Sequence, residues 1–359
     1  MKRILFVIPF LSSGGAERVV SIWTSELAKL GIDVHLLVFY RLENEYSLDK
    51  KVIIHTVKHK KNEYDNLAKV EKIRAIRHIF QEIKPDVILP FITHVGLITS
   101  IAKIGLHLKV IETIRIDPRY SPRKKIIRWL RNMSIFFSDR CIVQNKTQLE
   151  YFPPFMQKSM VIFPNPIANE FVQKEKVFIN KEICNFVTVG RLEKQKNYFM
   201  LLRAFSQVSK DNEKINLKIY GEGSLFNQLN DYIDELNLKQ KVLLCGRTNN
   251  IVEVLQESDL FILSSDAEGM PNSLMEAMAV GLPCISTNCP TGPADLIEDG
   301  INGALIPVGN QDALVDSMFK MINNIDDSIN MGRSARETIL SRYTAEASVK
   351  EIMGFIESI

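Results

Sequence analysis

The stretch DLFILSSDAEGMPNSLMEAMAVG, residues 259–281, decides the architecture of this chain. DLFILSS reads as a buried strand, and DAEGM is too polar to continue it. Pro271 fits a first helical position, where its missing N–H costs nothing. The apolar run that follows predicts a helix over 272–280, ended by Gly281 with Pro283 just beyond. Glu268 and Glu276 stand eight positions apart, and on one continuous helix their side chains would diverge by about 80°. The break at Pro271 removes that objection by placing Glu268 on a loop and Glu276 on a helix. The first amides of that helix, at Asn272, Ser273 and Leu274, have no intrahelical partner and favour an anion. A phosphate there, with a carboxylate on either side to accept hydroxyl hydrogen bonds, fits a sugar nucleotide.

Outward from this unit the same strand–turn–helix grammar repeats, the pattern of parallel sheets flanked by helices. The first half offers strands at 4–10, 34–40, 86–92, 109–114, 140–144 and 160–164; the second offers them at 186–190, 216–221, 241–246, 259–265, 283–287 and 304–308. Val20, Trp23, Leu27 and Leu30 recur at helical spacing between the first two strands, predicting a helix over 16–30. The expected fold class is α/β, with two doubly wound, Rossmann-like parallel-sheet domains facing a cleft. Residues 1–167 form the first, residues 168–342 the second, and 343–359 a terminal helix that packs back toward the first. In such sheets ligands bind beyond the carboxyl ends of the strands.

Composition agrees with a folded globular chain of 359 residues, 46% apolar and 24% charged. The net charge of +3 conceals an asymmetry: residues 1–167 carry 27 Lys and Arg against 15 Asp and Glu, and the remainder 18 against 27. The halves therefore face different partners. Five cysteines without C-x-x-C spacing read as small core residues in a reducing cytoplasm. ILFVIPFL near the N-terminus imitates a leader, but no cleavage pattern follows, so a buried first strand is the expectation.

Two further loops carry chemistry. VGRLEKQKN, 189–197, follows a strand, and Arg191 and Lys196 flank a turn that opens an apolar helix. Such a pair can neutralise a diphosphate leaving group, Arg by forked hydrogen bonds and Lys as a point charge. SSGGAER, 12–18, follows the first strand, and Gly14 and Gly15 let the backbone approach a ligand at a helix start. The G-x-G-x-x-G dinucleotide fingerprint is absent: GEGSLF, 221–226, has Phe226 in the third place.

GGAER at 14–18, GRLEKQKN at 190–197, GEG at 221–223 and EGMPNSLMEA at 268–277 together resemble the retaining glycosyltransferases of family 4, which have the GT-B architecture. The resemblance implies a nucleotide-sugar donor on the C-terminal domain, an acceptor on the N-terminal one, no cofactor and no bound metal. By the family's pattern Arg191 and Lys196 contact the donor diphosphate and Glu276 the ribose hydroxyls. Glu268 and the backbone of Gly269, Met270 and Asn272 contact the transferred sugar, and Gly15 approaches the phosphate. The catalytic set so implied is Glu268, Arg191 and Lys196. The absence of D-x-D, and of any histidine after His107, fits stabilisation of the leaving group by side chains and helix ends. Where many relatives carry an N-terminal histidine this sequence reads ETIRIDPRY, 112–120, so His94, Arg115 and Asp117 all stand as candidate acceptor contacts.

RYSPRKKIIRWLRNMSIFF, 119–137, predicts a helix starting near Pro122, with Ile126, Leu130, Met133 and Phe137 on one stripe and Lys124, Arg128 and Arg131 opposite. Two readings stand: a helix lying on an anionic membrane, or one packed on its domain with a solvated basic face. NCPTGPADLI, 288–297, resembles relatives that act on lipid-linked oligosaccharides in surface-polysaccharide assembly, implying a UDP-sugar donor. The expected enzyme is cytoplasmic or peripheral on the inner membrane face and does not bind nucleic acid. The alternatives are a UDP-N-acetylglucosamine 2-epimerase of the same architecture and a noncatalytic nucleotide-sugar binder.

Overall fold

The computed structural model describes residues 2–12, 14–178 and 182–359. Two compact units result, one of Met1–Pro166 with Ala345–Ile359 and one of Ile167–Thr344. In the first, β1 (Arg3–Ile8), β2 (Asp33–Val38), β3 (Ile53–Thr56), β4 (Val87–Pro90), β5 (Lys109–Thr113), β6 (Arg140–Val143) and β7 (Met160–Ile162) form one sheet in the order 3-2-1-4-5-6-7. In the second, β8 (Asn185–Val189), β9 (Asn216–Tyr220), β10 (Val242–Gly246), β11 (Leu260–Leu263), β12 (Cys284–Thr287) and β13 (Ala304–Ile306) run 10-9-8-11-12-13. Every strand pair is parallel. Helices cover both faces of such sheets, so the inner strands are apolar throughout, and LFIL of β11 is buried at all four positions. Strand order reverses beside β1 and beside β8, and a crevice opens at the carboxyl ends of strands at such reversals.

The sequence expectation omits β3, an edge strand whose Ile53 and Ile54 are exposed and whose run is too short to show a pattern. The helix after β1 spans Gly15–Lys29 and buries Val19, Val20, Trp23 and Leu27. The terminal helix Ala345–Glu357 belongs to the first unit: Trp23 Nε1 donates to Ser348 Oγ at 2.9 Å, and Lys2 Nζ donates to the Ile356 carbonyl at 2.6 Å.

Three local expectations need correction. Pro271 is the residue before the Asn272–Val280 helix rather than its first turn; its carbonyl takes the Leu274 and Met275 amides at 3.1 Å each. The helix expected from Pro122 begins at Lys125, because the preceding backbone is a tied turn. Ser121 N–H bonds the Asp117 carbonyl at 3.0 Å, and Arg131 Nη1 bonds the Pro118 and Ser121 carbonyls at 3.1 and 2.9 Å. Arg131 is for that reason buried, not part of a solvated basic face. None of the five cysteines is paired; Cys141, Cys284 and Cys289 are buried, whereas Cys184 and Cys245 are only partly so.

Candidate functional site

The loops after β8 and β11, at the reversal point of the second sheet, are tied to each other along their length. Lys194–Lys196 forms one 3₁₀ turn after β8, and Asn197 closes it in the left-handed region at φ 49°. From that turn, Ser264 Oγ donates to the Lys196 carbonyl at 2.8 Å, and Asp266 N–H donates to the Gln195 carbonyl at 2.8 Å. Gln195 Nε2 reaches the Ala267 carbonyl at 2.7 Å, and Asn197 Nδ2 reaches Asp266 Oδ1 at 2.7 Å. Lys196 Nζ completes the series by donating to Glu268 Oε1 at 2.6 Å. Two sequence-expected residues, Lys196 and Glu268, are thus brought into one ion pair, with both side chains largely buried.

Glu268 is fixed from other sides as well. Ser265 Oγ donates to its Oε1 at 2.6 Å, and Thr291 Oγ1 donates to its main-chain carbonyl. Gly292 lies at φ +97°, and a Cβ there would stand 2.4 Å from the Gly269 carbonyl oxygen. The 291–292 turn therefore backs the 268–271 loop closely. Cys289, beside it, donates to the Ser265 carbonyl, and burial pushes its thiol up to about 12.

The remaining expected donor residues lie in the same unit. Arg191 is exposed at the start of the loop after β8, and no side chain of the described residues holds it. Met270 and Leu274 turn their side chains into the core with Leu296, leaving the main chain as the part that can meet a ligand. Glu276 is buried on the helix despite its charge. The Leu274 amide is engaged with the Pro271 carbonyl, so of the three amides expected to be open at the helix start this one is not. The 221–223 loop packs on the loop after β8: the Glu222 carbonyl takes Leu192 N–H at 2.9 Å, and Ser224 Oγ bonds Glu193 Oε2 at 3.0 Å.

In the first unit Gly14 and Gly15 open the helix after β1, as expected. A Cβ at Gly14 would meet Glu17 Oε2 at 1.9 Å, so the buried Glu17 carboxylate lies over this backbone. His94 is exposed in the first turn of the Thr93–Ala102 helix, directly after Ile92, whose φ of 77° is strained for a β-branched residue. Arg115, just past β5, has its guanidinium carbon 4.7 Å from the ring centres of both Trp23 and Phe91, and Nη1 3.2 Å from Asn165 Oδ1. Among the described residues its Nε and Nη2 find no hydrogen-bond partner although buried, and burial lowers its pKa to about 9. The Asp117 carboxylate accepts from Arg119 N–H at 2.8 Å and Arg119 Nε at 3.1 Å, so it is spent on its own turn. Glu112 of β5 is buried against Ser134 and Ser100, and desolvation raises its pKa to about 7.

Sequence reading missed Ser265, Thr291, Gly292 and the Asn197–Asp266 pair. Only Asn197 carried a signal: asparagine is among the few residues that tolerate a left-handed backbone between a turn and a helix. Among the described residues no group of three or more His, Cys, Asp or Glu side chains could share a metal ion.

Chemically, the second unit offers a buried carboxylate with a lysine at hydrogen-bonding distance, ahead of a helix start and with the exposed Arg191 on the loop that carries the lysine, at a sheet reversal. The family model "Glycosyl transferases group 1" matches residues 169–338, and the model "Glycosyl transferase 4-like" matches residues 8–145. An uncharacterised glycosyltransferase of Methanocaldococcus jannaschii is 32% identical over 249 residues, which span 63% of this chain and 61% of that one. A Campylobacter jejuni protein, the GalNAc-alpha-(1->4)-GalNAc-alpha-(1->3)-diNAcBac-PP-undecaprenol alpha-1,4-N-acetyl-D-galactosaminyltransferase, is 27% identical over 328 residues, 90% of each chain. Among solved structures, Anabaena HepE in complex with UDP and glucose superposes with a TM-score of 0.84 at 16% identity, covering 100% of both chains, a likeness of fold. The two parallel-sheet units are those of the GT-B architecture, and the chain belongs to the glycosyltransferases that join a 4-like N-terminal domain to a group 1 C-terminal domain.

Proposed function

We propose that the protein transfers a hexose or N-acetylhexosamine from a UDP-sugar to a glycan carried on a lipid diphosphate, with retention of configuration, in surface-polysaccharide assembly. The observation that carries this reading is the Lys196–Glu268 pair, held by Ser265 and backed by Thr291 at the reversal of the second sheet. Without donor, the lysine neutralises the carboxylate. With donor bound, a sugar hydroxyl takes the Glu268 oxygen, and Lys196 turns with Arg191 toward the diphosphate as its bond to the sugar breaks. Glu276 accepts from the ribose hydroxyls, and the main chain of Gly269, Met270, Asn272 and Ser273 lines the sugar and phosphate. The leaving β-phosphate oxygen takes the acceptor hydroxyl proton on the face it departs from, so the new bond forms where the old one broke and no enzymic base is needed. Side chains and helix ends alone supply the counter-charge, with neither metal nor cofactor. The acceptor belongs to the basic N-terminal unit, where His94 and Arg115 stand at the carboxyl ends of strands.

The Campylobacter relative's name supports a lipid diphosphate acceptor, and the UDP bound to HepE supports the nucleotide. Incubation of the enzyme with UDP-N-acetylhexosamines, with and without an undecaprenyl-diphosphate-linked glycan, tests the reading. Transfer that needs the acceptor is expected. Conversion of UDP-N-acetylglucosamine to its 2-epimer without acceptor, or binding with neither hydrolysis nor transfer, would overturn it.

A further inference from the structure

The helix Lys125–Phe136 wears its pattern inside out. Its protein-facing side buries Arg131, Ser134 and Ile135. Facing away are Ile126, Trp129, Leu130, Phe136 and the following Phe137, spaced as a single helical stripe, with Trp129 55% and Phe137 66% exposed. A neighbouring short helix, Pro154–Gln157, extends the surface: the exposed Phe155 ring lies 6.2 Å from Phe136, edge-on, as Phe137 does at 5.2 Å. Scattered apolar residues on a surface are ordinary, but a contiguous aromatic stripe of this size marks a docking face.

Charge identifies the occupant. Arg119, Arg123, Lys124 and Lys125 are exposed at the start of this helix, and no Asp or Glu occurs between Asp117 and Asp139. A second copy of the chain docked face to face would press these rims of like charge together. A soluble protein partner would have to be both apolar and acidic over the same area. A bilayer carrying anionic headgroups supplies both at once: acyl chains beneath the stripe and phosphates at the basic rim. Because the loop after β5 lies at the carboxyl edge of the sheet, the basic rim sits on the side where a parallel sheet takes its ligands. No helix among the described residues is long and apolar enough to cross a membrane.

We infer that residues 119–137, with Phe155, form a membrane-docking surface that lays this helix in the interface of an anionic bilayer, Trp129 and the three phenylalanines inserted and the 119–125 basic turn on the headgroups. This deepens the reading of a lipid-linked acceptor but does not need it, since vesicle binding is measured with neither donor nor acceptor present. The full chain carries its own probe. Of its two tryptophans, Trp23 is fully buried and Trp129 exposed, so any change in emission on docking reports Trp129.

The test is co-sedimentation and tryptophan emission with phosphatidylcholine vesicles, with and without phosphatidylglycerol. Binding is expected only with the anionic lipid, with a blue shift that Trp129→Phe abolishes. Phe136→Ser with Phe155→Ser should cut affinity at least tenfold, and Lys124→Ala with Lys125→Ala roughly 30-fold, an effect that added salt reproduces in the wild type. All four side chains are exposed, so unchanged thermal midpoints confirm that the variants fold. Equal binding of wild type and variants, absence of binding to anionic vesicles, or self-association that shields Trp129 without lipid would each overturn the inference.

Discussion

Lys196 Nζ lies 2.6 Å from Glu268 Oε1, joining two loops that stand 72 residues apart in sequence. A largely buried charge pair of this kind is costly to break from one side, because the survivor is left without its counter-charge. Lys196→Ala and Glu268→Ala should each lower the free energy of unfolding, while the double variant loses less than the sum. A double-mutant cycle by urea denaturation should return a coupling on the order of 1–3 kcal/mol. Additive losses would mean that the pair is not formed in solution.

The turn at Gly292 acts through space on the 268–271 loop, which the proposed function gives to the donor. Its φ of +97° and the 2.4 Å approach of a Cβ to the Gly269 carbonyl leave no room for a side chain. Gly292→Ala should therefore shift the 268–271 loop and raise the donor KM about tenfold or more, with a smaller change in kcat. Thr291→Val, which removes the bond to the Glu268 carbonyl, should cost on the order of 1 kcal/mol of stability. Steady-state kinetics and thermal melts of both variants check these outcomes.

Asn197 couples a left-handed backbone to a side-chain bond with Asp266 at 2.7 Å. Asn197→Gly keeps the backbone and loses the bond; Asn197→Ala loses the bond and adds strain; Asn197→Asp sets two carboxylates against each other. Unfolding free energies should fall in that order, glycine least and aspartate most, with the total spread on the order of 1–3 kcal/mol.

Glu112 gives a pH dependence of defined sign. Burial raises its pKa from the ordinary 4.5 to about 7, so the folded state favours the protonated carboxyl. The unfolded chain releases this proton above about pH 4.5 and the folded chain only near 7. The group's contribution to stability is therefore greatest at low pH, declines between those values and is flat above them. Glu112→Gln should remove that decline, raising the thermal midpoint at pH 8 relative to wild type by more than it does at pH 4. The gain is bounded at roughly 3 kcal/mol. An equal effect at both pH values would place the carboxyl in water.

The strand–loop–helix unit at 259–281 was legible because three punctuation residues, Gly269, Pro271 and Gly281, bracket it and leave few alternatives. The two series of parallel strands followed from the same repeated grammar, except for β3. What stayed hidden depended on long-range contact. Nothing in SSD announces that Ser265 serves Glu268, and Thr291 reaches that loop only through the folding of β12. The Lys125–Phe136 helix shows the limit most plainly: periodicity located its apolar stripe but could not tell which side faces the protein. Arg131 decided it by turning inward to hold the Pro118 and Ser121 carbonyls, which leaves the aromatic side in solvent.

The proposed chemistry has Lys196 and Glu268 carry sugar transfer rather than only tie two loops. Its most direct measurement is the initial rate of sugar transfer from a UDP-sugar to a diphosphoundecaprenol-linked glycan by Glu268→Ala and Lys196→Ala beside wild type, with circular dichroism confirming the fold. We expect kcat/KM to fall by about 10³ or more in each, on the order of 4 kcal/mol of lost transition-state stabilisation, while both variants keep a cooperative thermal transition. Near-normal transfer by either folded variant would contradict it.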